Sequence, residues 1–124
     1  MYHLVLVFLG AGCGGVTRHL LGTTLHGHYA ERLGGLPVGT LAVNVIGSAL
    51  IGVVVAAWGE HPIARMLIIT GFLGGFTTFS SFSRESIELL QSGRSGLAAL
   101  YIALSVLCCL IGAWAGFALG RALI

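Results

Sequence analysis

Four long apolar runs, separated by three short polar stretches, set the architecture of this chain before any single residue is weighed. The runs cover Tyr2–Leu21, Leu36–Trp58, Ile63–Leu90 and Leu97–Ile124. Each approaches or exceeds the ~20 residues that an α-helix needs to cross the hydrocarbon layer of a bilayer. The stretches between them are HGHYAERLGG (His26 to Gly35), GEHP (Gly59 to Pro62) and QSGRSG (Gln91 to Gly96). They gather turn formers and charges, and Pro62 is placed to open a helix. The pattern predicts an all-α integral membrane protein with four transmembrane helices, one domain over residues 1–124. No Lys or Arg precedes the apolar segment Leu4 to Cys13, so it reads as the first span rather than a removable signal.

The third run breaks the pattern. Its segment Gly71 to Ser83, GFLGGFTTFSSFS, holds three glycines, two threonines, three serines and four phenylalanines. As one straight helix, Ile63–Leu90 would measure about 42 Å at 1.5 Å per residue, against a hydrocarbon layer of ~30 Å. Glycines and β-branched threonines predict two half-helices meeting near Gly74–Thr77. A break frees carbonyls at the end of the first half and amides at the start of the second. Irregular backbone at that depth is tolerated only where protein buries it or a polar cavity receives it. The segment is therefore expected to handle an ion.

Small residues recur every fourth position along the other spans: Gly10, Gly14, Arg18 and Gly22; then Thr40, Asn44, Ser48 and Gly52; then Cys108, Gly112, Gly116 and Gly120. Residues four apart share a helix face, and small faces let membrane helices approach closely. The first and third stripes read as packing surfaces. The second carries three hydrogen-bonding side chains on one face, more than a single helix contact needs, and reads as a polar path. Arg18 is expensive inside a span and points to a cavity or a partner, with snorkelling to the interface as the plainer reading. Phe79 and Phe82, three apart, lie on nearly one face. Ring edges are positive, so they can face an anion without a fixed cation that would trap it.

Composition narrows the rest. The chain is 56% hydrophobic and 8% charged, against about 25% charged residues in soluble domains, and its mean hydropathy is +1.00. A net charge of +2 gives no argument for nucleic acid. Cys13, Cys108 and Cys109 form no C-x-x-C, which predicts neither a disulfide framework nor a zinc site. An even number of spans leaves both termini on one side. Arg65 and Arg121 fall there, with Arg32 and Arg94 opposite. So weak a basic bias predicts insertion in both orientations.

GGFTTFSSFS (Gly74 to Ser83) and GTLAVNVIGS (Gly39 to Ser48), with GxxxR at Gly14 to Arg18, resemble the CrcB/Fluc family of fluoride channels. That family's pattern is close to GGLTTFSTF in the third helix and GTLxVNxxGS in the second. The resemblance covers the whole chain. It implies a dual-topology homodimer of antiparallel subunits, multi-pass in the cytoplasmic (inner) membrane, passing fluoride passively out of the cell to relieve its toxicity. It further implies two pores lined by Asn44, Phe79 and Phe82, with Arg18 drawing anions into a vestibule. Hydroxyls on the path would come from Thr40, Ser48, Ser80, Ser81 and Ser105, with Tyr101 at one end. Glu85 matches the acidic position after the motif. A structural Na⁺ at the dimer centre would be held by the backbone carbonyls of Gly74 and Thr77. One departure stands out: Cys108 and Cys109 occupy positions where the family often has another hydroxyl.

The main rival is a small multidrug-resistance-type exporter coupled to protons. Such transport needs a carboxylate embedded in the membrane. Glu31, Glu60, Glu85 and Glu88 instead fall in connectors or late in the third span. A purely structural subunit would explain the glycine stripes but not Asn44. No nucleophile has a base on the same helix face within a span, so no enzyme is expected. His26 and His28 are expected to be solvated loop residues rather than metal ligands.

Overall fold

The computed structural model describes residues 1–124 and is entirely helical. Helix α1 runs Tyr2–Tyr29 and α2 runs Val38–Trp58. The third span, Pro62–Gln91, is divided into α3 (residues 62–76) and α4 (Phe79–Gln91). The fourth span, α5, is Ser95–Ala122. All four spans are long and apolar enough to cross a membrane, as the hydropathy pattern predicts. The chain is a multi-pass membrane protein. Only 19 of 124 residues are buried, while Phe8, Leu110, Ile111 and Trp114 are exposed. Apolar groups on the outside and few inside suit a hydrocarbon solvent and no other.

Three boundaries differ from the sequence reading. Helix α1 continues past Leu21 to Tyr29, so His26 and His28 sit on its last turns and not in a loop. Beyond Leu21, Thr23 and Thr24 fold their hydroxyls back onto the His19 and Leu20 carbonyls, so their polar groups are satisfied within the helix. Helix α3 carries a wide winding over Arg65–Leu73, in which bonding reaches five residues back; the Gly74 N–H still points to the Ile69 carbonyl. Such π-type turns concentrate at functional sites. Finally, Gly74 keeps helical dihedrals (φ −63°, ψ −37°). The extended residues are Thr77 (φ −83°, ψ 157°) and Thr78 (φ −151°, ψ 109°), so the break lies at the end of the Gly74–Thr77 window and runs one residue past it.

Glycines set the distances between helices. A Cβ on Gly10 would fall 2.8 Å from the Phe72 nitrogen, and one on Gly75 would fall 2.8 Å from the Ala11 Cα. A Cβ on Gly52 would fall 2.7 Å from the Phe117 nitrogen, and one on Gly120 would lie 2.7 Å from the Val53 carbonyl. Real Cβ atoms do not approach backbone so closely. Hence α1 packs on α3, and α2 on α5, backbone against backbone, the association mode open to helices in lipid. At its far end α4 stops on Gly93 (φ 76°), with Arg94 N–H bonded to the Leu89 carbonyl and Gly93 N–H to Leu90. This Schellman arrangement uses the left-handed conformation glycine adopts freely. Beside it, Leu36, Leu89, Ala98 and Tyr101 form a small buried cluster.

Candidate functional site

The break is stitched to α2 by one side chain. Thr78 N–H donates to Asn44 Oδ1 at 2.7 Å, and Asn44 Nδ2 donates to the Thr78 carbonyl at 3.0 Å. In an unbroken helix that N–H would reach the Gly74 carbonyl, four residues back. The Asn44 amide therefore replaces the lost helix bond at the Thr78 N–H and adds a donor to the Thr78 carbonyl. It keeps one Nδ2 hydrogen uncommitted by these two bonds. Thr78 also caps α4: its Oγ1 accepts from the Ser81 N–H at 3.2 Å and lies 3.2 Å and 3.1 Å from the Ser80 and Ser81 hydroxyls. From the other side, Arg18 of α1 donates to the Thr77 carbonyl at 3.0 Å.

Two cavities meet at Thr78. The first, of about 390 Å³, is lined by Asn44, Ser48, Gly74, Thr77, Thr78, Phe79, Phe82, Ser105 and Cys109, among others. The second, of about 590 Å³, lies between α1, α2 and α4 and has a single apolar lining residue, Val43. Its wall carries Arg18, His19, Thr23, His26, Thr40, Thr78, Ser81, Arg84 and Glu85. Arg84 is paired with Glu88 at 2.5 Å and stands near Glu85, so Arg18, which no carboxylate holds, is the charge that makes this mouth attractive to anions.

The aromatic residues form a row. Phe79 and Phe82 have ring centroids 5.3 Å apart at 51°, and Phe82 and Tyr101 lie 5.5 Å apart at 49°. These tilts present edges as well as faces. Phe79 is 78% exposed. Tyr101, fully buried, donates its hydroxyl to Glu85 Oε2 at 2.7 Å, and Thr40 donates to Glu85 Oε1 at 2.7 Å. Arg84 stands 3.7 Å from the same carboxylate. Ser105 Oγ is buried without any hydrogen-bond partner.

Most of the residues singled out in the sequence converge here, in different roles. Asn44, Ser48, Phe79, Phe82 and Ser105 line the inner cavity with Gly74 and Thr77; Arg18, Thr40, Ser81 and Glu85 line the mouth. Ser80 is exposed and touches only the cap. Thr40 and Tyr101 aim their hydroxyl hydrogens at Glu85 instead of into a cavity. Sequence reasoning missed Thr78 as the pivot. The signal was available: a threonine followed three residues later by another hydroxyl residue, ahead of a polar-faced helix, is N-cap chemistry. It also missed His19 and Arg84 at the mouth.

A four-span membrane protein with a broken span, an amide clasp at the break, a polar cavity on one side and a mixed, largely apolar one on the other belongs to the class of small ion-conducting or transporting proteins. Residues 5–117 match the family described as CrcB-like protein, Camphor Resistance (CrcB), and the chain belongs to that family. Among its relatives, a protein of Coxiella burnetii (strain CbuK_Q154) named fluoride-specific ion channel FluC is 40% identical over 98% of this chain and 99% of its own length. A protein of the same name from Agrobacterium fabrum is 43% identical over 98% of both chains. Another, from Geobacter sulfurreducens, is 44% identical over 96% of this chain and 95% of its own. The relatives bear the name of ion channels, a non-enzymatic class, which agrees with the reading of this chain as no enzyme.

Proposed function

We propose that the chain is a fluoride-selective channel that lets F⁻ leave the cell passively across the cytoplasmic (inner) membrane. The observation that carries this reading is the Asn44–Thr78 clasp, where a polar mouth and an inner cavity meet at a break in a membrane-spanning helix. Fluoride is small and strongly hydrated, so a path must replace its water with donors. Arg18 gathers the ion at the mouth. The Ser81 hydroxyl and the free Asn44 amide hydrogen receive it at the break. The Ser48 and Ser105 hydroxyls, with the edges of Phe79 and Phe82, carry it through the inner cavity. No fixed cation lines that inner cavity, so the ion is held weakly enough to leave.

A second copy completes the structure. Phe79, Gly74 and Ser80 are exposed at the break, and polar backbone facing lipid is not tolerated. An antiparallel homodimer, open to a chain with so weak an orientation signal, would cover them and give two pores. A sodium ion suits the same place. The Gly74 carbonyl has lost its helical donor to Asn44, and unwound carbonyls of this kind hold Na⁺ in membrane proteins. The Thr77 carbonyl has one lone pair on Arg18 and one left. With each subunit offering two carbonyls, the ion would belong to the dimer and brace its centre.

The exporter reading needs a carboxylate free to take up and release protons. Glu85 is the one candidate within the helical bundle, and it is tied to Tyr101, Thr40 and Arg84. Purified protein in liposomes, followed with a fluoride electrode with and without valinomycin, separates the two. Potential-driven F⁻ efflux that needs no proton gradient is the expected outcome. Efflux that requires a proton gradient overturns the channel reading.

A further inference from the structure

The face of α1 that borders the mouth carries two histidines which the conduction path has not used. Gly15, His19, Gly22 and His26 all line the 590 Å³ cavity, and their spacing places them on one helix face. A Cβ on Gly15, or on the neighbouring Gly27, would meet nothing within 4 Å, so open space lies beside both rings. His19 and His26 are exposed. The other three histidines have ring contacts: His3 with the Met66 sulfur, His28 with the Thr24 carbonyl and His61 with the Ala64 N–H. His26 also lines an adjoining cavity of about 440 Å³, where it meets Arg84, Glu85 and Glu88.

The fixed charges that face these rings cancel. Arg18 of α1 and Arg84 of α4 stand against Glu85 and Glu88 of α4. The stretch of α2 on the cavity wall is Gly39, Thr40 and Val43, and the connector before it adds Gly35 and Pro37, none of them titratable. Tyr101 of α5 bears on the mouth only through its bond to Glu85. Whether the mouth as a whole carries positive charge therefore depends on the two imidazoles. Histidine is the side chain suited to change charge between about pH 5 and 8.

We propose that His19 and His26 are anion-gathering residues of the mouth, and that their protonation in acid speeds the entry of fluoride. This inference rests on the channel reading above. Arg18 acts at the break, where it holds the Thr77 carbonyl; the histidines extend the attraction along α1 toward its polar end. A cleft with low-dielectric walls focuses such charge and concentrates anions within it. Neutral HF crosses lipid more readily than the bare ion, and it releases a proton with each fluoride it delivers. The mouth thus draws anions hardest when fluoride has just entered.

Protein in liposomes provides the test, with valinomycin-dependent fluoride efflux measured at about pH 8 and about pH 5.5 on both sides. Counting only the part that needs valinomycin removes the leak of HF through lipid. In wild type, efflux in acid should exceed efflux in base about threefold, and the ratio should shrink when ionic strength is raised about tenfold. In His19→Gln/His26→Gln the ratio should stay near one. Glu85 and Glu88 are intact in that variant, so an acid response arising from them would survive. His19→Lys/His26→Lys should run at the wild-type acid rate at both pH values, a rescue by charge that a merely structural role does not give. His28→Gln, outside both cavities, should respond as wild type does. A wild-type ratio of one or below, a full response in the glutamine variant, or a lysine variant that stays slow in base overturns the proposal. Absence of valinomycin-dependent efflux from wild type at either pH overturns the channel reading itself, and this inference with it.

Discussion

The two halves of the third span are held in different ways. Helix α3 lies on α1 through glycine, with Gly10 and Gly14 meeting the backbone around Phe72 and Phe76, and Gly75 meeting Ala11. No side-chain hydrogen bond takes part in those glycine contacts. Helix α4 begins at Thr78, which is held by the Asn44 amide, and it continues beside α5 through Glu85, Tyr101 and Phe82. Apart from His3 against the Met66 sulfur and Arg18 on the Thr77 carbonyl at its end, the first half is positioned by what its neighbours lack, the second by what they offer. In lipid, close packing suffices where every backbone group is already bonded. Where the helix breaks, freed N–H and C=O groups need partners, and the side chains that supply them also create a polar passage. Shape holds one half and chemistry the other, so substitutions in the two should fail differently.

The largest effect is expected on the glycine side. Gly14→Val would drive a branched side chain into the Phe72 carbonyl, with its Cβ also 2.9 Å from the Phe76 nitrogen. Backbone cannot yield as a flexible side chain can, so the cost should reach about 3 kcal/mol or more. The expected outcome is little extractable protein and an aggregated profile on size exclusion. A well-behaved Gly14→Val protein with normal flux would show that the α1–α3 contact is slack.

On the polar side, loss of conduction should come without loss of assembly. Asn44→Asp keeps shape but removes the donor to the Thr78 carbonyl and sets an anion beside the path. Like charges repel strongly in a poorly screened interior, so efflux should fall by about two orders of magnitude, ~3 kcal/mol in barrier, with the elution position on size exclusion unchanged. Phe82→Ile removes a ring edge and the contact with Tyr101 while retaining bulk. A drop in efflux of about tenfold is expected, since an edge-on aromatic contact is worth about 0.5–1.5 kcal/mol. Undiminished flux in that variant would remove the aromatic row from the path.

Much of this was legible in the chain, for physical reasons. Four spans follow from hydropathy, because length and apolarity are what a bilayer selects. The glycine stripes were readable as packing faces, since spacing by four fixes a helix face whatever lies opposite. Asn44 stood out because an amide in hydrocarbon demands a partner. The partner itself was not legible: which backbone group it would clasp depends on where the third span breaks, and the sequence points to the window Gly74–Thr77 while the dihedrals turn extended at Thr77 and Thr78. Glycine permits a break; the cap residue fixes it. Nor did spacing reveal that α3 would wind wide over Arg65–Leu73. Glu85 was noticed only by its position after the motif, because its partners Thr40 and Tyr101 come from two other spans.

Thr40 gives the finest test of the division between shape and chemistry. Its place on the polar stripe of α2 suggests an ion ligand, yet its hydroxyl donates to Glu85 Oε1 at 2.7 Å. A hydroxyl hydrogen committed to a carboxylate is not available to a passing anion. Thr40→Val keeps the branched shape and deletes only that donor. Interhelical hydrogen bonds in membrane proteins average about 0.6 kcal/mol, so the variant should lose a few degrees of thermal stability in detergent. Efflux should stay within about twofold of wild type, a barrier change below about 0.5 kcal/mol. If flux instead falls as far as in Phe82→Ile while stability holds, then Thr40 faces the ion during conduction, and the carboxylate bond is a resting contact that fluoride displaces.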